Sequence, residues 1–406
     1  MELVISAGSV LTAPGAERIP GGAVHVRDGV VAAVGTRDEV DAAVEASVPR
    51  ADYPDATILP GLIDAHVHLA FDAGTEVAAT VRESDDACLM LGMTGRARAL
   101  LDTGVTTVRD LGDRGGLAAR LRDAIASGGV PGPRILAAGA PITITGGHCW
   151  FLGGEVDGSE ESIRDMVRRN VAAGADLVKV MATGGGLTPG GPAAWESQFD
   201  GAALRIVTEE ARRAGLRTAA HAHGAEGIAA AVAAGVDTIE HCTWMTEGGF
   251  EVREDVVAEI VANGVFVCPG ASPGWRALPA VFGEERAAQM FGRVRWMADQ
   301  GVRLIAGTDA GVPRAVFDDF PGSLEFFEHL GLPPARVLTM ATTDAAAALG
   351  LAGETGTVAP GYRADLLVAD GDPEADLAAL RALRLVLAGG RPHVPAGAAV
   401  PARPGH

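Results

Sequence analysis

Leu59-Pro60-Gly61-Leu62-Ile63-Asp64-Ala65-His66-Val67-His68 is a short apolar run that ends in two histidines one residue apart. On an extended strand, residues i and i+2 point to one face, so His66 and His68 project together and, as neutral imidazoles, can share a metal ion. Taken alone, the pair reads equally well as two polar residues at a strand end. The pattern recurs, however, in Thr218-Ala219-Ala220-His221-Ala222-His223, in Thr238-Ile239-Glu240-His241 and in Val302-Arg303-Leu304-Ile305-Ala306-Gly307-Thr308-Asp309. Each of these strand-like runs closes on a side chain that can bind a metal.

Leu177-Val178-Lys179-Val180-Met181 supplies a fifth such place, and Lys179 is the only lysine among 406 residues. Every other basic side chain is Arg, so one ammonium has been kept where a permanently charged, planar guanidinium does not serve. A buried lysine can lose its proton, and its neutral amine can then add CO2 to become a carbamate, an anionic oxygen ligand able to bridge two cations. The bland alternative is a lysine that reaches the surface from a strand end.

Working outward, short apolar runs recur at 62–68, 106–110, 134–138, 177–181, 217–221, 238–241, 265–269 and 303–309. Between most of them lie segments of helical character, among them Gly116–Ser127, Glu161–Ala173, Ala202–Ala214, Ala225–Ala234, Glu254–Asn263 and Glu284–Gln300, several followed by a capping glycine. Strand followed by helix, eight times, predicts an α/β chain built as a (β/α)8 TIM barrel, whose sites form at the C-terminal ends of the strands. All the candidate ligands occupy that end. The barrel is expected over residues 58–352. Residues 1–57 show short alternating runs with Asp28-Gly29 as a hairpin signal, and 353–406 resume the same style, so both termini are expected to build one small β-sandwich. Pro392–His406, rich in Pro, Ala and Gly, reads as a loose tail.

Composition narrows the partners. A net charge of −19 repels phosphate, which argues against nucleic acid and anionic membranes and leaves a small-molecule substrate. Cys88, Cys149, Cys242 and Cys268 show no paired spacing, and Met1-Glu2 begins no basic leader, so reduced thiols in the cytoplasm are expected. No run approaches 18 strongly apolar residues, so no membrane span is expected.

Pro60–His68, Gly104–Asp110, Lys179–Gly185, His221–Gly224, Ile239–His241 and Gly307–Asp309 together resemble the amidohydrolase superfamily. Within it the chain is similar to the imidazolonepropionase-like branch that includes prolidase-type metallodipeptidases and ochratoxin-degrading amidases. The resemblance covers nearly the whole chain. It implies two divalent metal ions, usually zinc (Zn2+), with His66, His68 and Asp309 on one, His221 and His241 on the other, and a CO2-derived carbamate on Lys179 bridging them. Single-metal deaminases of the superfamily carry a Glu three residues after the strand-five His and lack the lysine. Here Gly224 stands at that place. True imidazolonepropionases also lack the lysine, so that activity is rejected.

What the resemblance leaves is hydrolysis of an amide bond, in a dipeptide or an N-acyl amino acid, by a metal-bridging hydroxide with Asp309 as general acid and base. His148, in Thr145-Gly146-Gly147-His148, resembles the position from which the family places an imidazole near the substrate carbonyl; the alternative is loop structure alone. His223 is expected to contact substrate, its cationic imidazole meeting a carboxylate, although dipeptidase relatives often carry Tyr there. Trp150, Trp195, Trp244 and Trp275 fall just beyond strands, where a ring-lined mouth would suit an apolar or aromatic acyl group, though some of them would simply pack the loops. Two other readings stay open: a hydrolase of neutral anilides, carbamates or lactones, and a non-catalytic scaffold on the same barrel. Homo-oligomers are common among such relatives and are expected here.

Overall fold

In a computed structural model the described residues are 1–397; residues 398–406, the end of the expected loose tail, lie outside them. The chain is α/β. Its eight site-bearing strands are Leu62–Val67 (β1), Val105–Asp110 (β2), Arg134–Ala137 (β3), Leu177–Met181 (β4), Arg217–Gly224 (β5), Thr238–Thr246 (β6), Phe266–Cys268 (β7) and Arg303–Leu304 (β8). They form two parallel ladders, β1-β2-β3 and β4-β5-β6-β7-β8. All six residues of β1, all six of β2 and all five of β4 are buried, the pattern of parallel strands covered on both faces.

Backbone hydrogen bonds link the two ladders at both ends. Beyond β3, Ile142 N donates to Lys179 O at 2.8 Å and Met181 N to Ile142 O at 2.8 Å. Beyond β8, Asp309 N donates to His66 O at 2.8 Å and His68 N to Ala310 O at 2.8 Å, while Ala65 N donates to Ala306 O at 3.0 Å. The β8 ladder stops at Leu304, well short of the 303–309 run read from the sequence, because the chain then passes hard against β1. A Cβ on Gly307 would sit 2.5 Å from Cys268 Sγ and 2.9 Å from His66 Cβ, so only glycine lets the segment carrying Asp309 come this close.

The helices between the strands bury one face each. In Gly201–Arg213, Leu204, Val207 and Ala211 turn inward at helical spacing, and the Asp200 side chain caps Ala203 N. The six helices read from the sequence appear within a residue or two of their expected bounds. The 17-residue helix Asp86–Asp102 and the strand Arg50–Pro60 were not anticipated.

The termini meet in one eight-stranded mixed sheet. It runs Arg391–His393, Leu383–Ala388, Leu366–Asp370, Arg50–Pro60, Glu2–Val10, Gly22–Arg27, Val30–Thr36, with Ile19–Pro20 on Glu2–Val10. The expected hairpin closes at Asp28-Gly29, pairing Arg27 with Val30. Ile5, Val24, Ile58, Leu366 and Leu387 form an apolar cluster of its own there. Pro392 and His393, expected in the loose tail, belong instead to the edge strand, because Leu383–Ala388 and the Gly389-Gly390 turn fold the chain back on itself.

Candidate metal centre

The strand ends bring the candidate ligands together. His66 is the penultimate residue of β1 with His68 just beyond the strand, Lys179 lies in β4, His221 and His223 in β5, His241 in β6, and Asp309 beyond β8. His66 Nε2 is 3.1 Å and His68 Nε2 3.4 Å from Asp309 Oδ1. Ring centroids of His241 lie 5.2 Å from His66, 4.7 Å from His221 and 4.5 Å from His223. Within His66, His241 and Asp309, and again within His221, His223 and His241, one donor atom from each residue lies within 4.8 Å of the others.

The imidazoles are oriented from behind. His68 Nδ1 faces Gly112 O at 3.3 Å and His221 Nε2 faces Gly184 O at 3.0 Å, whereas His66 Nδ1 lies 2.9 Å from Glu240 Oε2 without hydrogen-bond geometry. An imidazole that gives one N–H to an oxygen keeps the lone pair of its other nitrogen free, which is the usual arrangement of a metal-binding histidine. His241 and Asp309 have φ of 71° and 58°, backbone conformations that cost non-glycine residues free energy and that gather at functional sites. Buried Asp64 holds the Asp309 segment to β1, accepting from Thr308 N at 3.0 Å, Thr308 Oγ1 at 2.6 Å and His66 N at 3.2 Å. Burial raises its carboxyl to about 6.

Lys179 is 1% exposed, and its Nζ has no hydrogen-bond partner among the described residues. Burial pushes its amine down to about 8. Asp309 stays well below the usual carboxylate range: burial works to raise it, but the imidazoles of His66, His68 and His241 outweigh that. Burial holds His221 and His241 well below their ordinary value, so both rings are neutral donors. Burial works to lower His66 as well, but the Asp309 carboxylate outweighs it and holds that ring well above its ordinary value in the metal-free chain. The neutral imidazoles of His68, His221 and His241, the His66 ring, a carboxylate and an unpartnered buried amine form a nitrogen and oxygen donor set that fits divalent cations such as zinc. Lys179 also yields a test. The amine adds CO2 only when neutral, and with a pKa near 8 that fraction rises from about a tenth at pH 7 to about nine-tenths at pH 9. Uptake of 13C-labelled CO2 by metal-free protein should climb with pH over that window; flat uptake would exclude Lys179 as the acceptor.

His148 also faces the site, its ring 4.6 Å from that of His221. Gln198 holds its loop to β4, accepting from His148 N at 2.7 Å and donating to Met181 O at 2.6 Å. A Cβ on Gly185 would lie 2.5 Å from the His148 ring, which accounts for a glycine there. His148 Nδ1 is buried with no hydrogen-bond partner among the described residues, and burial lowers the ring to about 3. His223 contacts Thr243 Oγ1 through Nδ1 at 2.9 Å, and burial lowers it to about 4. That corrects the expectation of a cationic imidazole, since His223 is neutral near pH 7.

The tryptophans divide. Trp195 is exposed and Trp150 half-buried, with the Arg82 guanidinium 5.4 Å from the Trp150 ring. Trp244 is fully buried and donates to Met297 Sδ, and Trp275 is buried and donates to Gly322 O at 3.0 Å. Neither lines an open mouth, contrary to the sequence reading, because both rings turn inward onto helix side chains and backbone. A cavity of about 1140 Å³ lies at the opposite ends of the strands, beside Arg134, Asp176 and the terminal sheet. Its guanidiniums are engaged, Arg134 with Glu354 and Arg363 with Asp365.

This arrangement of parallel strands and clustered donors defines the class. Residues 57–391 match the amidohydrolase family, and the chain belongs to that family of hydrolases. Ochratoxinase of Aspergillus niger is 27% identical over 416 residues, covering 92% of this chain and 82% of the relative. Imidazolonepropionase of Symbiobacterium thermophilum is 27% identical over 421 residues, covering 90% of each. The crystal structure of a Xaa-Pro dipeptidase with methionine bound in its active site matches with a TM-score of 0.85 at 27% identity, over 97% of this chain and all of the other.

Proposed function

We propose that the chain is a binuclear, zinc-dependent amidohydrolase that cleaves an amide bond in a dipeptide or an N-acyl amino acid. His66, His68 and Asp309 would hold one divalent cation and His221 and His241 the second, with Lys179, as its carbamate, shared between them. The observation behind this reading is the sole lysine: its buried amine lacks a partner among the described residues and lies amid the imidazoles. Lys179 also weighs against imidazolonepropionase activity. Bound there, such cations would polarise a scissile carbonyl and lower the pKa of a water between them.

The remaining steps belong to the chain's own groups. Asp309, ionised and oriented by its contacts with His66 and His68, accepts the proton of the attacking water and returns it to the leaving nitrogen. His148, neutral and with a free ring nitrogen, can hydrogen-bond the substrate carbonyl oxygen and steady it as negative charge develops. Trp150 and Trp195 are the remaining aromatic candidates for an acyl group.

The scaffold we infer is a closed (β/α)8 barrel over residues 58–352 with a β-sandwich made from 1–57 and 353–406. Closure is supported by the backbone bonds that join the two ladders at both ends. A small-molecule substrate, a homo-oligomeric state and a cytoplasmic setting complete the reading. No helix of the described residues is long and apolar enough to cross a membrane.

One observation favours a second substrate class. A neutral His223 offers no charge to a carboxylate, which suits neutral anilides, carbamates or lactones. A hydrolysis screen of the zinc-loaded protein across dipeptides, N-acyl amino acids, anilides, carbamates and lactones decides between them. We expect substrates with a free α-carboxylate to have the higher kcat/KM. Faster turnover of any neutral substrate than of every carboxylate-bearing amide would replace the peptidase-like reading. Failure to retain zinc under mild purification would instead favour a non-catalytic scaffold.

A further inference from the structure

The His148 ring faces the candidate metal centre without being tied to another element. Its Nδ1 has no hydrogen-bond partner among the described residues, and its Nε2 contacts the adjacent Cys149 Sγ at 3.6 Å. The ring's place, 4.6 Å from that of His221, is therefore set by the backbone that carries it.

That backbone is held from a second loop, residues 182–200, which joins β4 to the helix Gly201–Arg213. Two buried side chains of this loop grip the two peptides that flank His148. Gln198 Oε1 accepts from His148 N at 2.7 Å, and Thr188 Oγ1 accepts from Cys149 N at 2.9 Å. Gln198 is anchored in turn to the end of β4, donating from Nε2 to Met181 O at 2.6 Å and from its main-chain N to Ala182 O at 2.8 Å. Its amide fits only one way round, because a main-chain N–H donates and a main-chain carbonyl accepts. A Cβ on Gly147 would collide with Gln198 Oε1, so glycine lets the His148 peptide come this close. Cys149 has φ 55°, a conformation that a non-glycine residue holds where its surroundings over-determine it, and the bond to Thr188 is one such constraint.

We propose that Gln198 and Thr188 are positioning residues that act through His148, holding its main chain so that the ring stands where a substrate carbonyl would meet it. The inference rests on the reading of His148 as the carbonyl's hydrogen-bond partner and adds which groups put it there. A donor to a developing oxyanion is most effective when it is already in place and need not reorganise during the reaction. A displacement of about 1 Å in such a group can lower the rate by about 10²-fold.

Gln198→Met keeps the length of the side chain and removes its hydrogen bonds, leaving His148 N buried and unpaired, a cost that the loop relieves by moving. In the zinc-loaded full chain, on the substrate that leads the hydrolysis screen, we expect kcat to fall by about 10²-fold. KM should stay within about twofold, since the loss falls on the transition state, and metal content should not change. In a His148→Ala background the same substitution should have no further effect, because nothing is left for Gln198 to position. An equal fold loss in both backgrounds, the mark of a merely structural role, overturns the proposal, and so does a fully active Gln198→Met. Thr188→Val removes the other anchor and should show the same dependence on His148; it decides the matter if Gln198→Met does not fold. His148→Ala with wild-type turnover would overturn the proposal together with the role of His148.

A second readout needs no turnover. In metal-free protein labelled with 13C-histidine, the Cε1–H signal of His148, identified by its absence in His148→Ala, should shift in both variants. An unmoved signal overturns the proposal. Wild type that hydrolyses no amide would refute the reading of the site, and this shift would then decide by itself whether Gln198 and Thr188 place the ring.

Discussion

Lys179→Arg is expected to lose zinc retention and turnover together, the latter by roughly three orders of magnitude or more, as when one member of a catalytic unit is removed. Arginine keeps the positive charge and much of the length, so a lysine serving as a buried cation would tolerate the change better than a lysine serving as a ligand. The guanidinium does not become neutral in proteins and cannot add CO2, so it brings a charge into the site where the reading requires an anion. Arginine also places that charge among imidazoles already held neutral by burial. Native mass spectrometry of metal-loaded wild type should show a chain heavier by one CO2. Because Lys179 is the only lysine, site mapping need only exclude the N-terminus. A Lys179→Arg protein with full activity would sink the carbamate reading.

The candidate ligands were legible because most of them fall at the close of short apolar runs, and parallel strands align those closures at one end of a sheet. His66, His68, His221 and His241 could therefore be named before any contact was known. The neutral state of His223 could not, since it depends on burial beneath neighbouring elements. Trp244 misled because proximity to a strand end does not set a ring's direction: β6 runs on to Thr246, and the side chain turns towards Met297 on a helix more than fifty residues away. The contacts of Arg109, Glu240 and Asp64 were not legible locally. Their partners lie on other strands, Arg109 reaching residues separated from it by 129 and 131 positions. One signal was present: Arg109 and Asp110 end the otherwise uncharged run Val105-Thr106-Thr107-Val108 of a buried strand, and a buried charge requires a partner.

Asp309→Asn separates metal binding from proton transfer, and this variant should retain most of its metal while turnover falls by roughly two or more orders of magnitude. The amide keeps the size of the carboxyl and one oxygen that can still act as a ligand. Asn cannot accept a proton from the attacking water or pass one to a leaving amine. The surroundings hold Asp309 ionised against its burial, which poises it to accept that proton. His66→Ala makes the complementary case: it removes a nitrogen donor outright, so metal content itself should fall. Metal analysis and single-turnover rates on both variants, with the substrate that leads the hydrolysis screen, distinguish the two effects. Wild-type activity in Asp309→Asn would remove Asp309 from the chemistry. Loss of metal equal to that of His66→Ala would confine it to a ligand.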